Sequence, residues 1–248
     1  MSDASARVVS LTALVAFWWL LSLANGDPRV LPSPADIVPR LATELQNGEL
    51  IRHLAATLRR VAMAFVVAMA IGIALGLVMG SRPLVDRWLD PWLVVFLNLP
   101  ALVVIVLCFL WIGLNEVAAI AAVAINKIPM VTALVREGAR ALDPQLAAMA
   151  RVFAMPPVAR LRHVVVPQLA PHVAAAARSG VSLIWKIVLV VEFLGRSDGV
   201  GFKIHLHFQL FDVAMVLTYA LAFVAVMLAI EMLILQPVER RARRWRSD

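Results

Sequence analysis

Leu58 to Met79 reads LRRVAMAFVVAMAIGIALGLVM. After Arg59 and Arg60 the stretch carries no charge, and it has the length of a helix that crosses a bilayer, about 20 residues. Gly72, Gly76 and Gly80 recur every four residues and so share one helix face, the pattern by which membrane helices pack closely. Further apolar blocks follow the same logic at Val8–Ala24, Pro91–Leu114, Glu116–Val135, Val164–Leu194 and Asp212–Leu235. The expected fold class is therefore an all-α polytopic membrane protein with about six transmembrane helices, a single membrane domain filling residues 1–248. Composition agrees. The chain is 62% hydrophobic and 16% charged, against about 45–50% and about 25% for a soluble domain, and its mean hydropathy is +0.87. A transmembrane β-barrel would need short alternating strands, which these blocks do not offer.

The net charge is +7, and the basic residues lie between the apolar blocks, where topology signals belong, rather than in a nucleic-acid-binding patch. With six spans both ends share a side. That side holds Arg7, Arg82, Arg87, the arginines from Arg136 to Arg162 and the tail Arg240–Arg246, the larger share of Lys and Arg. The positive-inside rule then sets both termini in the cytoplasm of a multi-pass inner (plasma) membrane protein. Trp18, Trp19, Trp88, Trp92 and Trp111 fall near span ends, as interfacial tryptophans do. Ser22-Leu23-Ala24 has the small-x-small look of a cleavage site, but its run is long for a signal segment and more spans follow, which favours an uncleaved anchor. The single cysteine, Cys108, sits in an apolar run and reads as core.

Arg136 to Pro171 reads REGARALDPQLAAMARVFAMPPVARLRHVVVPQLAP. Asp143-Pro144 is a helix start, an N-cap carboxylate followed by proline at the first helical position. Leu146, Met149, Ala150 and Phe153 fall at helical spacing, and Pro156-Pro157 stops the helix. The result is a short helix outside the membrane with an apolar stripe that needs lipid or protein to cover it.

This stretch resembles the cytoplasmic loop of permease subunits of binding-protein-dependent ABC importers, the nitrate/sulfonate/taurine branch. Their EAA motif runs Glu-Ala-Ala, three residues, Gly, nine residues, Ile-x-Leu-Pro. Anchored on Pro167, it sets Ala148-Met149-Ala150 at Glu-Ala-Ala, Ala154 at the glycine, and Val164 and Val166 at the isoleucine and leucine. The glutamate and the glycine are absent. Leu31-Pro32-Ser33-Pro34, Gly48-Glu49-Leu50, Leu58-Arg59-Arg60-Val61, Leu89-Asp90-Pro91, Leu99-Pro100, Trp111-Ile112-Gly113, Glu192 with Gly199-Val200-Gly201, and the arginine-rich end extend the resemblance over nearly the whole chain.

The resemblance implies a type I ABC importer permease fold in which Asp143–Pro156 is the coupling helix, docked in a groove of a cytoplasmic ATPase. Arg151 or Gln145 is the candidate to substitute for the missing glutamate in its contact with the ATPase. Alanine at 154, small and helix-favouring, is expected to continue the helix. The implied partners are that ATP-binding subunit, a periplasmic substrate-binding protein, a second permease copy in a homodimer, and membrane lipid. Its cargo would be a sulfonate, nitrate, taurine or similar anion; neutral heterocycle precursors, served by the same branch, are the alternative.

The chain lacks Gly-x4-Gly-Lys-Ser/Thr, so ATP is expected on the partner, with no cofactor or metal here and no catalysis by this subunit. An intramembrane enzyme would need a clustered catalytic set such as His-Glu-x-x-His or Gly-x-Ser-x-Gly, and none is visible. An ion-driven secondary carrier would need inverted repeats and a midplane carboxylate, and neither is seen. Ionisable groups inside spans are costly and therefore pathway candidates. These are Lys127, beside Asn126 and before Pro129, together with Arg178, Lys186 and Glu192. Lys127 either snorkels or lines the pathway. Arg178 and Lys186 lie near one helix face and either line a cavity or pair with Glu192 or Glu231 or meet lipid headgroups. Glu192 is four residues before Arg196, a structural i,i+4 pair. Asn98 is positioned to satisfy a proline-freed carbonyl, and His205 and His207 suit a docking surface for the binding protein.

Overall fold

A computed structural model of the chain describes residues 3–235. The tail arginines lie outside the described residues, and all the regular structure within them is helical. The helices are α1 (Asp3–Asn25), α2 (Pro34–Gln46), α3 (Glu49–Ser81), α4 (Pro83–Asn98), α5 (Ala101–Ile112), α6 (Glu116–Arg140), α7 (Pro144–Val152), α8 (Pro157–Arg160), α9 (Val166–Gly195), α10 (Val200–Gln209) and α11 (Val213–Ile230). Wider π-helical turns occupy Leu161–Val165 and Glu231–Leu235. Four helical stretches are long and apolar enough to cross a membrane: Glu49–Ser81, Glu116–Arg140, Pro157–Gly195 and Val213–Leu233. The first block forms the shorter apolar stretch Val9–Asn25.

The expected third span is not one rod. α4 and α5 meet at 98°. Pro100 restricts Leu99 to extended backbone, ψ 126°, so α4 stops at Asn98. Asn98 turns its side-chain amide back onto the Val94 carbonyl (2.7 Å). The fifth span differs as well: helix begins at Pro157 rather than near Val164. The π turn at Leu161–Val165 stands just ahead of Pro167, whose ring and missing N–H disfavour regular α winding over the preceding turn.

The described chain divides into two compact units, residues up to Thr57 with 192–228, and 58–191 with the residues after 228. The larger unit is organised by α3 and α6. A Cβ on Gly72 would meet Val131 at 2.6 Å, one on Gly76 the Thr132 carbonyl at 2.7 Å, and Gly80 faces Ala139. Contacts that advance together along both chains make α3 and α6 parallel. Consistently, Arg60 at the start of the α3 span grips Glu116 at the start of α6, while Arg136 near the end of α6 reaches Asp86 and Asp90 in α4. The chain must therefore return across the layer between Asp86 and Glu116, which makes the bent α4–α5 pair one full crossing. About twenty residues separate Arg60 from Gly80, a rise of about 30 Å, the thickness of the hydrocarbon core. Val104, Ile105, Cys108 and Phe109 of α5 pack on Ala118, Ala119, Ala122 and Val123 of α6 and on Ile184, Val188 and Val191 of α9.

The smaller unit is built on α2, the start of α3, α10 and α11. Ser33 donates through its backbone N–H (2.8 Å) and its hydroxyl (2.7 Å) to Asp36, fixing the first turn of α2. Arg40 pairs with Asp212, and Tyr219 donates to Glu44.

Candidate coupling helix and polar nodes

The Asp143-Pro144 start behaves as its chemistry requires. The Asp143 carboxylate accepts from the Gln145 N–H at 2.7 Å, and Pro144 occupies the first helical position. Gln168 ties this corner to α9: its side-chain oxygen accepts from the Asp143 N–H (2.8 Å) while its amide donates to the Val164 carbonyl (2.8 Å).

α7 ends at Val152, earlier than the expected Pro156. The Ala154 N–H donates to the Arg151 carbonyl (3.0 Å) and the Met155 N–H to the Ala150 carbonyl (2.9 Å). That is a Schellman ending, with Ala154 at the left-handed position, φ +45°. The helix preference of alanine thus does not apply at 154; the position asks for glycine, and alanine there carries a steric penalty of about 1 kcal/mol. Ala154→Gly is expected to stabilise the turn by up to about 1 kcal/mol, read as slower amide hydrogen exchange over residues 150–156 relative to the unmodified chain.

The apolar stripe is real but is not arranged as its spacing suggests. Ala150 is buried and packs inward. Leu146 and Met149 are half-exposed, while Val152 (83% exposed), Phe153 (74%) and Val158 (77%) stand out from the α7–α8 corner. Ala148 is half-buried, and Arg151, Pro156 and Pro167 are exposed.

The in-span polar residues separate. Lys127 is 2% exposed. Its ammonium meets the Ser179 carbonyl (3.1 Å) and the Met130 sulfur (2.7 Å), so it turns inward rather than snorkelling. Asn126 beside it is half-buried, whereas Arg178 and Lys186 lie on an exposed face of α9.

Glu192 belongs to a buried node in the smaller unit. It accepts from the Thr57 hydroxyl (2.9 Å) and the Gly201 N–H (2.9 Å). Thr57 accepts in turn from the Val200 N–H, and the Gly199 N–H donates to His53 Nδ1 (both 2.9 Å). That nitrogen therefore carries no proton, and Nε2 faces Glu49 (3.3 Å). Lys203 closes the ring on Glu49 (3.0 Å). Glu192 with Gly199-Val200-Gly201 is local in the sequence; His53 is 146 residues from the Gly199 N–H that it accepts.

His205 and His207 do not form an open docking face. Both are half-buried, His205 edge-on to Phe193 and His207 stacked on Tyr219. Burial pushes the His207 imidazole below its ordinary range. No group of three metal-binding side chains occurs among the described residues.

The other element missed by the sequence reading is the Arg60–Glu116 pair. The Arg60 guanidinium, 1% exposed, makes a two-pronged contact with the carboxylate at 2.9–3.1 Å, and Arg59 adds a contact at 3.2 Å. In the sequence the two residues showed only as charges at the starts of separate apolar blocks, Leu58-Arg59-Arg60 and Glu116.

A family model described as the binding-protein-dependent transport system inner membrane component matches residues 68–244. The chain is 26% identical over 241 residues to a probable ABC transporter permease protein of Brucella abortus (strain 2308), covering 97% of this chain and 95% of that one. It is 26% identical over 253 residues to the taurine transport system permease protein TauC of Escherichia coli (strain K12), covering 96% and 89%. To the putative aliphatic sulfonates transport permease protein SsuC of Bacillus subtilis (strain 168) it is 29% identical over 192 residues, covering 77% and 70%. The fold matches a chain in a crystal structure of an amino acid ABC transporter with histidines, TM-score 0.65 at 21% identity, over 81% of this chain and 97% of that one. An inward-facing structure of the MetNI methionine ABC transporter matches with TM-score 0.61 at 18% identity, over 76% and 92%.

Proposed function

Because this chain belongs to the family of binding-protein-dependent transport system inner membrane components, we propose that it is one permease domain of an ATP-driven importer whose ATPase is a separate subunit docked on α7. The observation that carries the proposal is the exposed apolar corner of Leu146, Met149, Val152 and Phe153, held rigid by the Asp143 cap and the Schellman turn. Solvent-exposed apolar side chains on a capped, well-fixed helix are the ingredients of a protein interface. ATP-driven closure of two ATPases would move this corner, and Gln168 would transmit the movement to α9. The permease would then alternate between inward and outward faces without chemistry on its cargo and without a cofactor or metal of its own.

In this reading both termini and α7 are cytoplasmic, and two copies of the chain pair in the membrane. The polar node around Glu192 faces the periplasm, where a substrate-binding protein delivers the cargo. The cargo is a small anion. Relatives are named for aliphatic sulfonates, taurine and nitrate, and the basic side chains in spans, Lys127, Arg178 and Lys186, favour that charge.

The test is co-purification with the cognate ATPase and ATP hydrolysis in liposomes. The unaltered chain is expected to retain the ATPase. Phe153→Asp, which sets a charge in the middle of the corner, is expected to lower retention and stimulated hydrolysis at least about tenfold, a loss of about 1.4 kcal/mol or more. A chain that retains no ATPase, yet moves solute down an ion gradient by itself, would overturn the proposal in favour of a secondary carrier.

A further inference from the structure

The N-terminus of α10 is capped by residues of other helices. Gly199 is its N-cap and brings no side chain to the task. The first N–H groups of a helix have no partner within it, so they need acceptors from elsewhere. Here the Gly199 N–H donates to His53 Nδ1, the Val200 N–H to the Thr57 hydroxyl oxygen and the Gly201 N–H to the Glu192 carboxylate, all at 2.9 Å. His53 and Thr57 lie one turn apart in α3. The start of α3 and the end of α9 therefore clasp the start of α10, and the clasp is buried, with His53 only 1% exposed.

Acid does not affect the three acceptors alike. A hydroxyl accepts at any pH, and a carboxyl keeps an acceptor oxygen when it is protonated. An imidazole does not, because both ring nitrogens of the charged form are donors. A second proton on His53 would sit on Nδ1 and face the Gly199 N–H, donor against donor, at the positive end of the α10 dipole. The groups around the ring come from every helix of the node. On α3, Glu49 and Arg52 stand 3.3 and 3.1 Å from Nε2. α10 brings Lys203 and the Phe202 ring. α11 brings Tyr219, edge-on at 6.3 Å, whose hydroxyl donates to Glu44 of α2 and whose ring also stacks on His207. α9 brings Glu192, through Thr57. Glu49 is itself held by Lys203 and Arg52, each at 3.0 Å. Burial, with Lys203 and Arg52 added, outweighs Glu49 and holds the imidazole below its ordinary range.

We propose that His53 is an acid-sensitive clasp: as a neutral ring it caps α10, and on taking a second proton it releases the α10 N-terminus and with it the corner between α9 and α10. The closed clasp binds that proton more weakly than an exposed imidazole does. Closure is therefore complete above the ordinary histidine value, about 6.5. It weakens as the pH falls through that value, by up to about tenfold per pH unit, until the ring in the closed clasp itself titrates. His53 precedes Arg59 and Arg60, where the uncharged span begins, so this end of α3 lies outside the hydrocarbon. In the proposed orientation it would meet the pH of the periplasm, but the clasp rests on its own geometry and not on that orientation.

Hydrogen exchange on the full chain in detergent, from pH 8 to pH 5, tests this, with each amide rate compared with the intrinsic rate at the same pH. Protection over residues 199–201 is expected to be flat from pH 8 to 7 and to fall at least about threefold between pH 7 and 5. In His53→Gln, whose side-chain carbonyl still accepts but does not titrate, protection should not change with pH. In His207→Gln the fall should persist. Residues 118–124 of α6, in the core of the larger unit, report whether the whole chain loosens, and their protection should hold throughout. Protection at 199–201 that ignores pH overturns the proposal. So does a fall of equal size in His53→Gln, a fall abolished in His207→Gln, or an equal fall over 118–124. None of these readings depends on cargo, transport or the ATPase.

Discussion

Glu116→Gln is expected to destabilise the membrane domain by about 3 kcal/mol, the scale for breaking a buried charge pair from one side. The Arg60 guanidinium is 1% exposed and loses the carboxylate that grips it with two prongs. The reverse change, Arg60→Met, is expected to cost less, about 1–2 kcal/mol. Glu116 keeps 28% of its side chain exposed and retains Arg59 at 3.2 Å, so water and a second cation still serve it. The double replacement Arg60→Met/Glu116→Leu is expected to cost less than Glu116→Gln, because the buried pair is then removed from both sides. Thermal unfolding of the purified chain in detergent gives all three values. A Glu116→Gln variant no less stable than Arg60→Met would show that the pair is not acting as a buried charge. The consequence is architectural, since this pair holds the start of α6 beside the start of the α3 span and thereby the parallel alignment on which the Gly72–Gly76–Gly80 face depends.

Gly199→Ala is expected to have an effect at least as large. Gly199 has φ +106° and ψ 170°, a region that only glycine occupies comfortably, at a cost of about 1–3 kcal/mol for other residues. Its added Cβ would also fall inside the Glu192 carboxylate. Glu192 cannot retreat cheaply, being fully buried and bonded to Thr57 and to the Gly201 N–H. Together these costs amount to about 4 kcal/mol, which corresponds to a fall in Tm of about 10 °C for a chain of this length. Glu192→Ala separates the two contributions. In its background the Gly199→Ala change meets no carboxylate, so its further cost is expected to fall to the backbone share, about 1–3 kcal/mol. Full additivity of the two changes would mean that the carboxylate is not what fills the space at Gly199.

Both effects lie where local sequence reading is weakest. Arg60 and Glu116 were visible as charges at the ends of two separate apolar blocks, and nothing in their spacing pairs residues 56 apart. Glu192 was legible as an ionisable group near a span end, suited to an i,i+4 partner or the pathway, and as part of a Glu…Gly-x-Gly resemblance, without its distant partners. Its hydrogen-bond partners include Thr57, 135 residues away. Ala154 shows the opposite error. The residue was read by its intrinsic helix preference, but the chain around it makes a left-handed ending, and in that place the lack of a side chain matters more than propensity.

The sequence by itself determined the class of the molecule, the placement of its long apolar helices, the start of α7 and the glycine face of α3. Each of these rests on a periodicity or composition contained within one stretch of about twenty residues, and the bilayer and the helix repeat convert such a pattern directly into structure. The right-angle break at Leu99-Pro100, the parallel pairing of α3 with α6 and the inward turn of Lys127 were decided by the tertiary structure alone. So was the closed polar node around Glu192. These depend on which surfaces remain once the helices have packed, and on buried charges and backbone N–H groups finding partners wherever the fold brings them.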